Sequence, residues 1–250
     1  MLNITRILVI VLSVVSLSAC QHKSKDKLEE KDPKIAYQKA IELLEKFDYK
    51  NAGEYFTKVY FLDPSSSISQ KSQLLEIYSF FMAKKYDESI EASDNFLKFY
   101  PLHKYSDYAA YMNALCHYVQ INPIYLDQSF TKRTKILFED FINSYPDSKF
   151  IEFAKDKIIL LNEYLSAKEM DIGRYYMFLN DPMSSIPRFQ TVLHDYSQTN
   201  QIQEALYRLS ASFKMLGLEN EAIKYAAILG HNFPDSKWYK YSYSLLKNVK

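Results

Sequence analysis

The chain of 250 residues consists of segments with the apolar spacing of helices, separated by short polar or proline-containing breaks. Within residues 204–215, Leu206, Leu209 and Phe213 stand at i, i+3 and i+7, so their side chains share one helix face. Further helices are predicted over residues 35–47, 74–84, 108–119 and 150–178, the last one unusually long. Each of these five segments is followed by a second helical segment, which predicts consecutive helix pairs.

The second segments share a phrase of constant spacing. A small residue is followed in three of the five by an aromatic residue four positions later, and in four of the five by a proline twelve positions later. Ala52, Ser89, Thr134, Ser185 and Ala222 are the small residues, the aromatics are Phe56, Phe138 and Phe189, and the prolines are Pro64, Pro101, Pro146 and Pro234. Ser197 stands where the fourth phrase would have its proline. The small residue lets two helices approach closely, the aromatic fills the space between them, and proline stops the helix because it has no amide N–H to donate.

This phrase is typical of the second helix of a tetratricopeptide (TPR) unit, a helix–turn–helix of about 34 residues. We therefore predict an all-α fold, a tetratricopeptide-like superhelix (α-solenoid) of about five helix pairs in one continuous stack. The small residues are 37, 45, 51 and 37 positions apart, which predicts an insertion at residues 120–132 and longer helices after Asp147. The predicted body covers residues 33–250, with repeats at approximately 33–66, 67–104, 105–149, 150–200 and 201–240.

The first 32 residues indicate export and attachment to a membrane. Arg6 precedes an apolar run over residues 7–17, which is shorter than the roughly 20 residues of a membrane-spanning helix and typical of a secretory signal. The run ends in Leu17-Ser-Ala-Cys20, which resembles a bacterial lipobox and implies a covalent lipid on Cys20. We predict a lipoprotein signal peptide at residues 1–19 and a lipidated, flexible tether at 20–32, where nearly every residue is polar. Gln21 stands where an inner-membrane retention signal would have aspartate, which implies the periplasmic face of the outer membrane.

Composition argues against several classes of function. Lys and Arg number 31 against 30 Asp and Glu, so the chain has no broad electrostatic attraction for nucleic acid. With four glycines it has no glycine-rich phosphate loop, and its five histidines form no metal-binding motif. We predict that the protein is not an enzyme and uses no cofactor or metal apart from the lipid. Cys116, the one cysteine left after lipidation, is predicted to be a small buried hydrophobe.

Aromatic side chains mark the predicted binding surface. The chain has 22 tyrosines and 16 phenylalanines, and the first helices of TPR pairs line the concave face of the superhelix. The residues predicted to face this groove are Tyr37, Ile41, Leu44, Tyr78, Phe81, Tyr111 and Tyr118. Such a groove suits an extended polypeptide with alternating apolar side chains. The alternative is that each ring packs between neighbouring repeats.

Several longer phrases are more specific than the repeat. They are YAAYMNAL (108–115), LDQSFT (126–131), FEDFINSYPDS (138–148), KEMDIGRYY (168–176), EALYRL (204–209), LGL (216–218) and NFPDSKWY (232–239). In this order behind a lipobox, they make residues 33–246 similar to the BamD family (ComL/YfiO type) of outer-membrane assembly lipoproteins, in a form similar to those of alphaproteobacteria. Ser197 and Gly173, which stands in place of a more usual alanine, depart from the family pattern.

The resemblance implies a scaffold in the outer-membrane β-barrel assembly (BAM) complex. Its expected partners are the POTRA repeats of BamA, bound mainly by the C-terminal half, other BAM lipoproteins, and unfolded outer-membrane proteins, whose C-terminal strand the N-terminal repeats would engage. One alternative that shares lipobox and repeats is a pilotin-like TPR lipoprotein that escorts a secretin or pilus assembly. Another is a cell-wall-associated enzyme or its activator, which the missing catalytic residues disfavour.

Overall fold

The computed structural model describes residues 32–247, which form eleven α-helices and no strand within that range. This confirms the predicted all-α class. The predicted signal peptide and Cys20 lie outside the described residues. The helices are α1 (Pro33–Glu45), α2 (Tyr49–Leu62), α3 (Ser67–Met82), α4 (Tyr86–Phe99), α5 (Ser106–Tyr118), α6 (Ser129–Ser144), α7 (Ile151–Phe178), α8 (Pro182–Asp195), α9 (Ile202–Met215), α10 (Glu219–Asn232) and α11 (Lys237–Lys247).

Helices α1/α2, α3/α4, α7/α8 and α9/α10 form four of the five TPR-like pairs that the repeated phrase predicts, and the pair α5/α6 remains a prediction. The chain divides into two compact units, residues 1–117 and 118–250. The described part of the first unit contains α1 to α4 and α5 up to His117, and the second contains α6 to α11. A continuous stack across this division and the repeat bounds remain predictions.

The repeated phrase occupies the positions that its chemistry requires. Its five small residues and its three phenylalanines are fully buried. The side chain of Ser89 also joins the two helices of its pair, because its Oγ donates a 2.9 Å hydrogen bond to the carbonyl oxygen of Ile77. Helices α2, α4, α6 and α10 each end two residues before the proline of the phrase. Helix α8 ends at Asp195, so the pair with Ser197 ends at the same place without a proline.

Four of the five pairs are closed by the same turn. In each, one residue has a left-handed backbone: Phe47, Lys84, Asn180 and Gly217, with φ between 59° and 73°. The next residue's N–H donates to the carbonyl five residues earlier, as in Asp48 to Leu43 at 2.9 Å and Lys85 to Phe80 at 2.8 Å. This is the Schellman arrangement, which satisfies carbonyls at the helix end. Of the four positions only one is glycine, the residue that adopts this conformation without steric cost.

Two helices differ from the sequence prediction. Helix α3 begins at Ser67 and not at Leu74, because the Ser66 side chain caps it by accepting the Ser69 N–H. Helix α11 continues to Lys247, beyond the predicted end of the last repeat at residue 240. The Trp238 ring of α11 stacks on Tyr207 of α9 at a centroid distance of 5.4 Å.

Helix α7 is 28 residues long, as its apolar pattern predicted, and it contains Gly173. A Cβ at this position would lie 2.4 Å from Cε1 of Phe189, a fully buried ring of α8. Glycine therefore lets the two helices approach closely. The same ring belongs to the core of the second unit together with Met170, Ile186, Val192, Ala205 and Leu209.

Candidate functional site

The seven residues predicted to line a groove all lie on first helices of their pairs. Tyr37, Ile41 and Leu44 are on α1, and Tyr78 and Phe81 are on α3. Tyr111 and Tyr118 are on α5, but Tyr118 belongs to the second unit. The structure therefore brings six of the seven into one unit.

The three α1 side chains pack partly within their own helix pair. They contact the small core of Ala40, Ala52 and Phe56 and are themselves half-buried. The rings of Tyr37 and Phe56 meet edge to face at a centroid distance of 5.9 Å. This packing buries part of each side chain, and the rest is exposed and can contact a ligand.

On α3, the Tyr78 ring is 37% exposed and touches the ring of Tyr49 at 6.3 Å. Phe81 is half-buried against Tyr86, at 5.8 Å. Tyr78 is the most accessible of the seven predicted residues. A little over a third of its surface is therefore available to an extended peptide.

On α5, Tyr111 is only 9% exposed, and burial raises the pKa of its hydroxyl. Tyr118 packs on Phe138 at 6.3 Å, with the Nζ of Lys157 4.5 Å above its ring. Burial, with a smaller effect of Tyr164, raises the Tyr118 pKa. These two side chains contribute less free surface than Tyr78, and the groove as a whole remains a prediction.

A different face of α3 is polar and buried, and the sequence reading missed it. Ser69, Ser72, Gln73 and Glu76 stand at i, i+3, i+4 and i+7, a spacing that normally holds apolar core residues. The spacing itself indicates a helix face made of these four residues. The sequence prediction did not include that face, because it started α3 at Leu74, after three of the four.

A cavity of about 250 Å³ lies along this face, between α2, α3 and α4. Among the described residues, its charged lining groups are all carboxylates, those of Glu76, Glu88 and Glu91. The remaining lining residues are Thr57, Tyr60, Phe61, Gln73, Phe80, Ala92 and Asn95.

Glu76 is the most perturbed acid of the site. Its side chain is buried, and Oε1 lies 2.7 Å from Oγ1 of Thr57, which also lies 3.0 Å from the carbonyl oxygen of Gly53. The hydroxyl has one proton and cannot donate to both oxygens. If Glu76 carries a proton, it donates to Thr57 and Thr57 donates to Gly53, so both hydrogen bonds form. Burial is the main reason that the pKa of Glu76 is raised from 4.5 to about 7, and the Glu91 charge adds to the effect.

The end of α7 presents a second exposed surface, in the other unit. A shallow depression there is lined by Asp171, Ile172, Arg174, Tyr175, Tyr176 and Phe178. Tyr175 is 59% exposed and Phe178 85% exposed. The guanidinium of Arg174 is held 3.4 Å from Glu204 of α9, which fixes one edge of the surface.

The remaining candidate residues within the described range offer neither a reactive thiol nor a metal site. Cys116 is buried, and burial raises the pKa of its thiol to about 11, as expected of an inert packing residue. Among residues 32–247, no group of three or more His, Cys, Asp and Glu side chains could hold a metal ion. Over that same range, every helix is too short or too polar to cross a lipid bilayer.

Comparison with known proteins identifies the family. Residues 29–229 match the YfiO family model, described as an outer membrane lipoprotein. The chain is 41% identical over 214 residues to the outer membrane protein assembly factor BamD of Rickettsia prowazekii, covering 86% of this chain and 85% of that one. It is 32% identical to BamD of Caulobacter vibrioides, covering 95% and 79%.

A likeness to the crystal structure of PilW, described as a type IV pilus biogenesis factor, is much looser. It covers 83% of this chain and 96% of that one at 17% identity, with a TM-score of 0.35 that carries no weight for function. With the family model matched over most of its length, the chain belongs to the YfiO (BamD) family of outer membrane lipoproteins.

Proposed function

We propose that this chain is an outer membrane protein assembly factor, a lipid-anchored scaffold of the BAM complex that binds BamA and unfolded outer-membrane proteins and promotes their folding and insertion. The observation that carries the proposal is the 41% identity to a BamD of similar length over 86% of the chain. The work of such a scaffold is binding, so it needs exposed surfaces suited to polypeptides and no catalytic group.

The first unit is the proposed receptor for unfolded barrel proteins. Its α1 and α3 helices carry Tyr37, Ile41, Leu44, Tyr78 and Phe81, which are apolar or aromatic and at most partly buried. Outer-membrane strands alternate outward apolar residues with polar ones and end in aromatic girdles. An extended strand can therefore lay its apolar side chains against these rings.

BamA is the proposed partner of the second unit, through its periplasmic POTRA repeats. The exposed Tyr175 and Phe178 at the end of α7 suit this role, because aromatic residues are enriched at protein interfaces. Other BAM lipoproteins are further proposed partners of the chain, and nucleic acid is not.

The proposed anchor is a lipid on Cys20, which would place the body at the periplasmic face of the outer membrane. Each buried methylene contributes about 0.8 kcal/mol, so more than one acyl chain gives stable attachment. No cofactor other than this covalent lipid is part of the proposal.

The substrate site is tested by Tyr78→Ala in the full chain, with Tyr105→Ala as the matched control. Tyr105 is exposed in the same unit, lies just before α5 and is not one of the residues predicted to line the groove. We expect Tyr78→Ala to weaken binding of a labelled peptide from the last strand of an outer-membrane barrel about fivefold or more, measured by fluorescence anisotropy. A single aromatic ring that stacks on another ring or meets it edge to face contributes about 0.5–1.5 kcal/mol beyond its buried area. Equal affinities for Tyr78→Ala and Tyr105→Ala would exclude Tyr78 from the site.

A further inference from the structure

We propose that the cavity between α2, α3 and α4 is a binding site for one alkyl-linked cation, a guanidinium or primary ammonium group. This assignment goes beyond the proposed assembly function and does not depend on it. The site is separate from the predicted groove, because Gln73, Glu76 and Phe80 occupy a different face of α3 from Tyr78 and Phe81.

The charge of the cavity selects a cation. Glu76, Glu88 and Glu91 line it, and the lining includes no lysine or arginine among the described residues. Glu88 is paired with Lys85 at 3.0 Å, on the exposed side of α4. Glu76 is 8% exposed and has no cationic partner within the part of the chain that the structure describes. A cation that entered the cavity would supply the missing charge in a place where water screens it little.

A buried amide adds a second, independent indication of a ligand. Gln73 is 4% exposed and lines the cavity, and its Oε1 accepts no hydrogen bond within the described part of the chain. The Tyr100 hydroxyl donates to the carbonyl of Pro64 at 3.1 Å, so its interaction with Gln73 can only be accepted from Nε2 and leaves Oε1 without a donor. Leaving a buried polar group without a partner costs about 1–3 kcal/mol. The amide oxygen of Gln73 and the carboxylate of Glu76, one helical turn apart, can both accept from one guanidinium or ammonium group.

Size and aromatic lining restrict the ligand to a single side chain or a molecule of that size. The cavity of about 250 Å³ is smaller than the roughly 300–1,000 Å³ of sites for drug-sized ligands. Of the rings that line the cavity, Phe80 is buried, Tyr60 is half-buried and Phe61 is 75% exposed. Such rings attract a cation through their faces and pack on an alkyl stem.

The acid at the cavity makes binding depend on pH. The titratable groups that face Glu76 are Tyr60 on α2 and Glu88 and Glu91 on α4, with Thr57 as its hydrogen-bond partner. Because burial raises the Glu76 pKa to about 7, its carboxylate is mostly protonated at pH 6 and mostly ionised at pH 8. A cation therefore binds up to about tenfold more tightly at pH 8 than at pH 6.

Isothermal titration calorimetry on the full chain in a non-ionic detergent tests the assignment, with butylguanidine and its neutral analogue butylurea as probes. We expect saturable 1:1 binding of butylguanidine at pH 8, at least tenfold weaker binding of butylurea, and weaker butylguanidine binding at pH 6. Glu76→Gln should lower the butylguanidine affinity at least tenfold. Glu54→Gln, which removes an exposed carboxylate of α2, should leave it unchanged.

Far-UV circular dichroism checks that Glu76→Gln is folded. A second variant, Gln73→Met, also removes an acceptor, and we expect it to weaken butylguanidine binding severalfold. Equal binding of the two probes, no saturable binding of butylguanidine, or full affinity in both variants would overturn the assignment. A further arm identifies the source of the cation. If acetyl-Ala-Arg-Ala-amide binds as tightly as butylguanidine, a polypeptide side chain is the natural ligand, and if only butylguanidine binds, the ligand is a small free cation.

Discussion

The buried residues of α3 meet two conflicting requirements, the close packing of helices and the solvation of polar side chains. Ser69, Ser72 and Ser79 are fully buried, and small side chains of this kind let neighbouring helices pack closely. Gln73 and Glu76 are also buried but carry groups that water would normally solvate. The helix thus gives up apolar burial at these two positions, and burial raises the pKa of Glu76 from 4.5 to about 7.

The effect of Glu76 on stability has a definite sign. Its native pKa of about 7 lies above the ordinary value of 4.5, so between these values the unfolded chain releases a proton that the native chain keeps. The free energy of unfolding therefore falls as pH rises through this window, and the whole contribution is present only below it. As pH rises from 5 to 8, we expect the free energy of unfolding of the unsubstituted chain to fall by about 2–3 kcal/mol relative to that of Glu76→Gln. Urea unfolding of both proteins at the two pH values measures this.

Glu54→Gln is the control for this measurement, since Glu54 is exposed and its loss should leave the pH dependence unchanged. A difference between Glu76→Gln and the unsubstituted chain that is the same at pH 5 and pH 8 would show that Glu76 titrates as an ordinary carboxyl.

The helices show how far the sequence predicts the fold. The small residue, the aromatic and the proline of the first phrase each have one structural role, so Ala52, Phe56 and Pro64 lie where spacing alone places them. The start of α3 was missed because its first two turns bury serines, and an apolar pattern cannot detect a polar core face. Helix α11 was missed because it follows the last phrase, so no repeat signal extends to it.

The candidate sites were less predictable than the helices. Which helices carry Tyr78 and Tyr111 follows from the repeat, but their exposures of 37% and 9% depend on packing between helices, which spacing does not encode. The cavity at Glu76 depends on three helices together and on the missed start of α3.

The shared turn between paired helices predicts opposite effects at two of its positions. Lys84 is exposed and adopts φ 59°, whereas Gly217 adopts φ 73° and has open space around the position of a Cβ. Lys84→Gly should therefore stabilise the chain and Gly217→Ala should destabilise it, each by about 1 kcal/mol, through the backbone alone. Urea unfolding of both variants measures this, and changes of the same sign would refute a common left-handed turn.

The molecule as a whole joins a predicted lipid anchor to two helical units that offer different surfaces. The first unit presents the aromatic residues of α1 and α3, and the second presents the exposed rings at the end of α7. Both surfaces suit polypeptides, and the anchor would keep them at the membrane where barrel proteins are inserted.

The anchor itself is tested by Cys20→Ser. Without the cysteine there is no thiol to carry the lipid, so we expect the protein to leave the membrane pellet for the soluble periplasmic fraction after a high-salt wash. Cys116→Ser, which changes a buried cysteine of the body, is the control and should stay with the membrane. Membrane retention of the Cys20→Ser protein would mean that protein contacts hold it there.

The partners of the full chain, purified by affinity from its native membranes and identified by mass spectrometry, decide whether it acts in barrel assembly. We expect BamA as the main stoichiometric partner, together with outer-membrane barrel proteins in smaller amount. Recovery of a secretin in place of BamA would contradict the proposed function and favour an escort role in a pilus or secretion system.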